Sequence, residues 1–469
     1  MSIWVVEIVF VLILLSTIVL VIAENKHPVK TLAWLMVLVF LPVVGLVIYF
    51  LFGIDKKHRR LVSDVDLRRL KSHTESLYED EICESPSKDQ KDLMNLLRSA
   101  NMAFPLGGNS VKQYTEFDAM FADLLADLNS ACDHIHFEFF KFEDDRIGRE
   151  IEEILVRKAA EGLEVRVQYD DAANLGHRSF FRRMRSKGVQ VQPFIKVMIP
   201  FISSDTNYRN HRKVVVIDGK IGYIGGMNIA ERYSVGIRGG VWRDTHIRVT
   251  GPAVSEMQTS FLVDWQFTSH QVLDDDRYYP KIEPQGDVLM QVATSGPMDE
   301  WMVIMQGITQ MIAQSKKYIY IQSPYLIPTE PVLLALRNAA LAGVDVRIMI
   351  PYHGDKGIMP PLASRSYVKD VITAGVKVYF YDNGYMHSKA IVSDDKIATI
   401  GSTNMDVRSY EQDFEINAFI YDKKVAKETK AAFLRDQEHS WLVDPKKWVA
   451  RSWFVRFKES LARLTSPLL

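Results

Sequence analysis

Cysteine is nearly missing from this chain. Its 469 residues hold only Cys83 and Cys132, too few for a disulfide framework and suited to a reducing compartment. A surplus of positive charge is missing too, since 57 Lys and Arg face 58 Asp and Glu. The overall basic field that nucleic-acid binders carry is therefore lacking, and no nucleic-acid partner is expected. Nor does any basic residue precede the apolar run that opens at Ile3. A secretory signal peptide begins with a positive segment, so cleavage near Ala23 is the weaker reading.

What the chain does have, first, is long apolar sequence. Ile3 to Ala23 is interrupted only by Glu7, Ser16 and Thr17, and Thr31 to Gly53 carries Pro42 and Gly45. Each run is long enough to cross roughly 30 Å of hydrocarbon as a helix, with Pro42 kinking the second. The short connector from Glu24 to Lys30 predicts a two-helix transmembrane hairpin over residues 1–54. Basic residues gather just past it, at Lys56, Lys57, Arg59, Arg60, Arg68, Arg69 and Lys71, against Lys26 and Lys30 in the connector. That bias predicts a multi-pass protein of the cell (cytoplasmic) membrane, its long C-terminal part on the cytoplasmic side. Residues 55–105 are charged and mixed in sign and read as a tether, partly helical from Lys88 to Ser99.

From about Val111 the chain says nearly the same thing twice. The strand His134–Phe139 is answered by Tyr318–Ile321, and the helix ending at Gly162 by one ending at Gly343. Gly188-Val189-Gln190-Val191 is answered by Gly375-Val376-Lys377-Val378. Strands alternating with helices that close on glycine predict an α/β sandwich in each half. A repeat this long means two similar domains, not a solenoid.

Each half also carries a His, a Lys two positions on, and an Asp seven after the His: His211, Lys213, Asp218, and His387, Lys389, Asp394. The β-branched residues between make both copies strands, so His and Lys of each pair share a face. Asp218 and Asp394 fall beside Gly219 and Asp395, where a turn is natural; we expect them to be structural. A Gly/Asn turn follows each motif, Gly225-Gly226-Met227-Asn228 and Gly401-Ser402-Thr403-Asn404. Imidazole, ammonium and amide groups together suit a phosphodiester: imidazole as nucleophile or acid near neutral pH, the others against charge on phosphorus. A nucleophilic His needs a carboxylate on its other nitrogen, and Asp244 and Glu415 lie at similar distances after the two histidines. No metal or cofactor is required, and two lysines would repel a cation.

The paired motifs resemble those of the phospholipase D superfamily, and their context is similar to its bacterial cardiolipin synthase branch. The likeness is carried by Asn207 to Lys213, Gly401 to Ser409 and Asp413 to Asn417. It also runs through Thr31-Leu32-Ala33-Trp34 to Leu41-Pro42 and through the tail Glu459 to Leu464 with Ser466-Pro467-Leu468-Leu469. It implies two phospholipase-D-like halves about a pseudo-two-fold axis, residues 106–285 and 286–444, with both His–Lys strands at one cleft and a basic amphipathic helix over 445–469. It counts His211, Lys213, Asp218, His387, Lys389 and Asp394 as the catalytic motif. It implies phosphate contacts from Asn228, Asn404 and Ser402, and His-orienting roles for Asp244 and Glu415. The implied reaction joins two phosphatidylglycerols into cardiolipin, releasing glycerol through a phosphatidyl-histidine, with His211 as nucleophile and His387 as acid/base. A hydrolytic phospholipase D, a superfamily nuclease and a non-catalytic membrane scaffold are the rival readings. The apolar stretch Phe194 to Ile202, unmatched in the second half, and the face of Trp453, Phe454, Phe457, Leu461 and Leu464 are candidates for lipid contact.

Overall fold

The computed structural model describes residues 3–23, 28–50, 61–78, 87–197, 207–237, 239–355 and 357–469. The chain divides into two compact units, one of Met1–Arg59 with Val197–Tyr208, the other of Arg60–Lys196 with Arg209–Leu469.

In the first unit the apolar runs form α1 (Ile3–Ala23), α2 (Pro28–Phe40) and α3 (Pro42–Ile48). The second run is not one helix. Proline has no N–H to continue the ladder, so α2 stops at Phe40 and Pro42 opens α3 as its first residue, a place proline fits. Val21, Leu38, Leu46 and Tyr49 are buried together, while Leu12, Leu20, Val39 and Phe40 are exposed. Among the described residues no helix is long and apolar enough to cross a membrane. Most of the connector at Glu24–Lys30, the basic residues from Lys56 to Arg60, and most of the apolar stretch Phe194–Ile202 lie outside the described residues.

In the second unit, α4 (Asp64–Leu77) and α5 (Lys88–Asn101) occupy the segment expected as a tether. Both are capped by serine side chains, Ser63 and Ser87, that accept a backbone N–H of the first turn. Leu70 of α4 packs with Phe261 and Trp265, and Lys71 forms a buried ion pair with Glu256.

The rest is built on one long mixed sheet and a separate two-stranded sheet. The first half contributes β1 (Leu106–Tyr114), β2 (His134–Phe139), β3 (Glu164–Asp170), β4 (Gln190–Phe194), β5 (Arg209–Asn210), β6 (Lys213–Ile217), β7 (Ile221–Gly225), β8 (Val241–Arg243) and β9 (His246–Thr250). The second contributes β10 (Val288–Ser295), β11 (Tyr318–Gln322), β12 (Asp345–Pro351), β13 (Lys377–Tyr381), β14 (Gly384–Met386), β15 (Ala390–Ser393), β16 (Ile397–Gly401), β17 (Asp413–Ile420) and β18 (Ser440–Leu442). Outward from an antiparallel β1–β10 seam, the first half runs β1-β9-β7-β6-β2-β3-β4 and the second β10-β17-β16-β15-β11-β12-β13. The order is the same in both directions, as a two-fold axis through the seam requires. Period-two alternation gives each motif strand two jobs. Val215 and Ile217 of β6 join the first half's own core, while Val214 and Val216 meet Ala390, Ala398 and Ile400 in a core shared by both halves.

Candidate active site

Each motif histidine is held from the opposite half, because the halves trade short strands. β5, just before His211, pairs in parallel with β17 of the second half. β14, just before His387, pairs in parallel with β8 of the first. The His211 backbone N–H donates to Phe414 O at 2.9 Å, and that of His387 to Arg243 O at 2.7 Å. Each imidazole therefore lies against the residue that follows its acceptor, which is a carboxylate. His211 Nδ1 is 2.9 Å from Glu415 Oε1, and His387 Nδ1 is 2.6 Å from Asp244 Oδ2. Sequence spacing had matched each acid to the histidine of its own half; the structure exchanges them. A parallel pair made across the halves leaves no trace in local spacing.

Both carboxylates are wholly buried. Burial pushes Glu415 up, but His211, Lys213 and the Ser402 hydroxyl together hold it below the usual carboxylate range. Against the same penalty, Lys389 and His387 hold Asp244 low. Burial takes His211 down to about 4, with Lys213 and Lys389 adding to the push and Glu415 opposing it. Burial and Lys389 take His387 down to about 3 against Asp244. Lys389 acts on His211 and Lys213 acts on His387, so the two pairs share one electrostatic site. These shifts make both imidazoles neutral and both carboxylates ionised near pH 7. Nδ1 then carries the proton and donates it to the carboxylate, which leaves the Nε2 lone pair for chemistry.

The lysines stand beside their own histidines. Lys213 Nζ donates to His211 O and sits 5.2 Å over the Phe140 ring. Lys389 Nζ donates to His387 O; it also lies 2.8 Å from His387 Nδ1, but both are donors once Nδ1 serves Asp244, so the carbonyl is its partner. Burial lowers Lys213 to about 7, helped by Lys389 and opposed by Glu415, and lowers Lys389 to about 8.

The other expected residues divide. Asp218 and Asp394 lie at the far ends of their strands from the imidazoles, at φ 53° and 55°. Asp218 accepts the backbone N–H groups of Cys132, Asp133 and His134, and Asp394 those of Lys316, Lys317 and Tyr318. They fasten the turn after each motif strand to the start of its neighbour and touch no imidazole. Ser402, expected on phosphate, spends its hydroxyl on Glu415 Oε2 and accepts the Ile416 N–H. Its counterpart is Gly226, where a β-carbon would collide with Asp244 Oδ1. The longer Glu leaves room for a serine and the shorter Asp does not. Asn228 accepts Lys141 N–H and donates to Tyr233 Oη, so it holds the wall of the site. Asn404 is buried with its Oδ1 lacking a partner.

Sequence reasoning missed the aromatic surround. Phe140 meets the His211 ring edge-on at 4.8 Å. Trp242, Tyr385 and Tyr233 stand 5.5, 5.8 and 6.0 Å from the His387 ring. Phe140 follows β2 and Tyr385 sits two residues before His387, so proximity to the motif strands was the available signal. Among the described residues no group of three or more His, Cys, Asp or Glu is disposed to hold a metal.

A family model described as cardiolipin synthase, PLD-like domain, matches residues 124–265 and 308–437. Another, described as phospholipase D-nuclease N-terminal, matches residues 9–53. The cardiolipin synthase of Staphylococcus aureus strain Mu50 is 40% identical, across 98% of this chain and 95% of that protein. The major cardiolipin synthase of Bacillus subtilis strain 168 is also 40% identical, across 98% of both. The crystal structure of a phosphatidylserine synthase from Haemophilus influenzae Rd KW20 covers 82% of this chain and 100% of its own, with a TM-score of 0.61 at 14% identity, a likeness of fold. Two such domains with two His–Lys motifs define a phospholipase D-type protein. Within that superfamily, the chain belongs to the cardiolipin synthase family.

Proposed function

We propose that this protein is a phosphatidyltransferase that makes cardiolipin and glycerol from two molecules of phosphatidylglycerol. The observation that carries the reading is the pair of imidazoles, each held by a buried carboxylate of the opposite half and each beside a lysine. His211 Nε2 attacks the phosphorus of the first lipid while the bond to glycerol breaks, and His387 gives the departing alkoxide its proton. The terminal hydroxyl of the second lipid then loses its proton to His387 and attacks the phosphatidyl-histidine, and the P–N bond breaks. Lys213 and Lys389, with the Asn404 amide, offset the charge on the phosphoryl oxygens. Ammonium groups help keep His387 low; a phosphodiester's negative charge offsets them, so the ring takes up a proton when substrate binds.

The exposed apolar side chains of α1 to α3 support a second part of the reading, that this unit inserts in the cell membrane as a hairpin. The excess of Lys and Arg from Lys56 to Lys71 supports a cytoplasmic catalytic unit. Purified protein in phosphatidylglycerol vesicles is expected to yield cardiolipin and glycerol in equal amounts by mass spectrometry, with none from His211→Ala. Phosphatidic acid as the sole product would instead make the enzyme a hydrolase.

A further inference from the structure

The C-terminal helix, Trp453–Arg463, is turned inside out. A surface helix ordinarily buries its apolar stripe and shows charge to water. Here the polar edge faces the protein. Glu459 is buried and takes a two-pronged ion pair from Arg451 at 2.7 Å. Arg463 reaches back to Asp370 Oδ2 at 2.6 Å and lies 3.9 Å over the Tyr367 ring. The apolar face points away: Trp453 is 66% exposed, Phe454 58%, Leu461 50% and Leu464 77%. Trp453 and Phe457 stack at 5.0 Å, so their rings form one continuous apolar surface.

The charges around that face say what covers it. Residues 445–469 hold six basic side chains and one acidic one, in a chain whose net charge is −1. Glu459 is neutralised by Arg451, while Lys446, Lys447, Arg456 and Lys458 are exposed. Two copies packed through this face would bring like charges together. An anionic bilayer surface takes both the rings and the cations.

We propose that the Trp453–Arg463 helix lies in the plane of an anionic lipid leaflet, a second membrane contact of the catalytic unit independent of α1 to α3. It goes beyond the phosphatidyl-transfer reading and shares with it only a lipid setting. The test uses the full chain in vesicles of phosphatidylcholine and phosphatidylglycerol, with ordinary or brominated acyl chains. The emission lost in Trp453→Phe isolates Trp453 from the other tryptophans. That emission is expected to be quenched about twofold or more by brominated chains; no quenching overturns the proposal. Arg456→Glu with Lys458→Glu, both at exposed sites, is expected to raise several-fold the phosphatidylglycerol fraction needed for half-maximal rate, with kcat at saturation unchanged. An unchanged requirement overturns the proposal, as does dimer formation through a Phe457→Cys disulfide without quenching. Quenching does not depend on turnover, so a chain that makes no cardiolipin still reports on the helix.

Discussion

Glu415 and Asp244 each keep one imidazole in the tautomer that frees Nε2. Glu415→Gln and Asp244→Asn keep shape and remove charge, so the ring can flip tautomer or lose its support when it becomes cationic. Each is expected to lower kcat by roughly 10²–10⁴ with the thermal midpoint little changed, measured as cardiolipin formed per enzyme. The lysines are expected to set the alkaline limit. Both ammonium groups are intact in the free enzyme below about 7, and Lys213 then Lys389 lose protons as pH rises through about 7 and about 8. The rate constant kcat/KM should therefore fall above neutrality, and a profile still flat at pH 9 would remove the lysines from the charge-stabilising role. His211, Lys213, His387 and Lys389 were legible because their spacing repeats at matching places. The pairing of each ring with its acid was not, because it is set by contacts between residues 143 and 204 positions apart.

At the scale of elements, strand and helix order followed from β-branched runs and glycine stops. Gly162 and Gly343 do end their helices at positive φ, 95° and 90°. The traded strands were invisible: β5 is two residues long and β14 three, too short for any period to register. The motif aspartates belong here also. Asp218→Ala strips three backbone N–H groups of their acceptor and should cost roughly 1–3 kcal/mol of stability, read by urea denaturation, with kcat within about twofold of the parent. A loss of kcat without loss of stability would return Asp218 to the chemistry.

For the whole molecule, strands alternating with glycine-closed helices forecast an α/β protein, and the repeat forecast two halves. It did not forecast that α4 would be fastened to the catalytic sheet, since Lys71 finds Glu256 at a separation of 185 residues. Lys71→Met leaves that carboxylate buried and unpaired, at an expected cost of about 3–5 kcal/mol. Adding Glu256→Gln should recover most of it, and the single variant's deficit should shrink as pH falls and the orphaned acid takes a proton. Equal thermal midpoints for parent and Lys71→Met would show α4 to be a loose strap. The exchange of acids between the halves has a consequence for descent as well. After a duplication, sister copies are ordinarily free to drift, one decaying while the other keeps the trade. Here each copy supplies the carboxylate that holds the other's imidazole, so a lesion in either is expected to silence its sibling and tie the two together in inheritance.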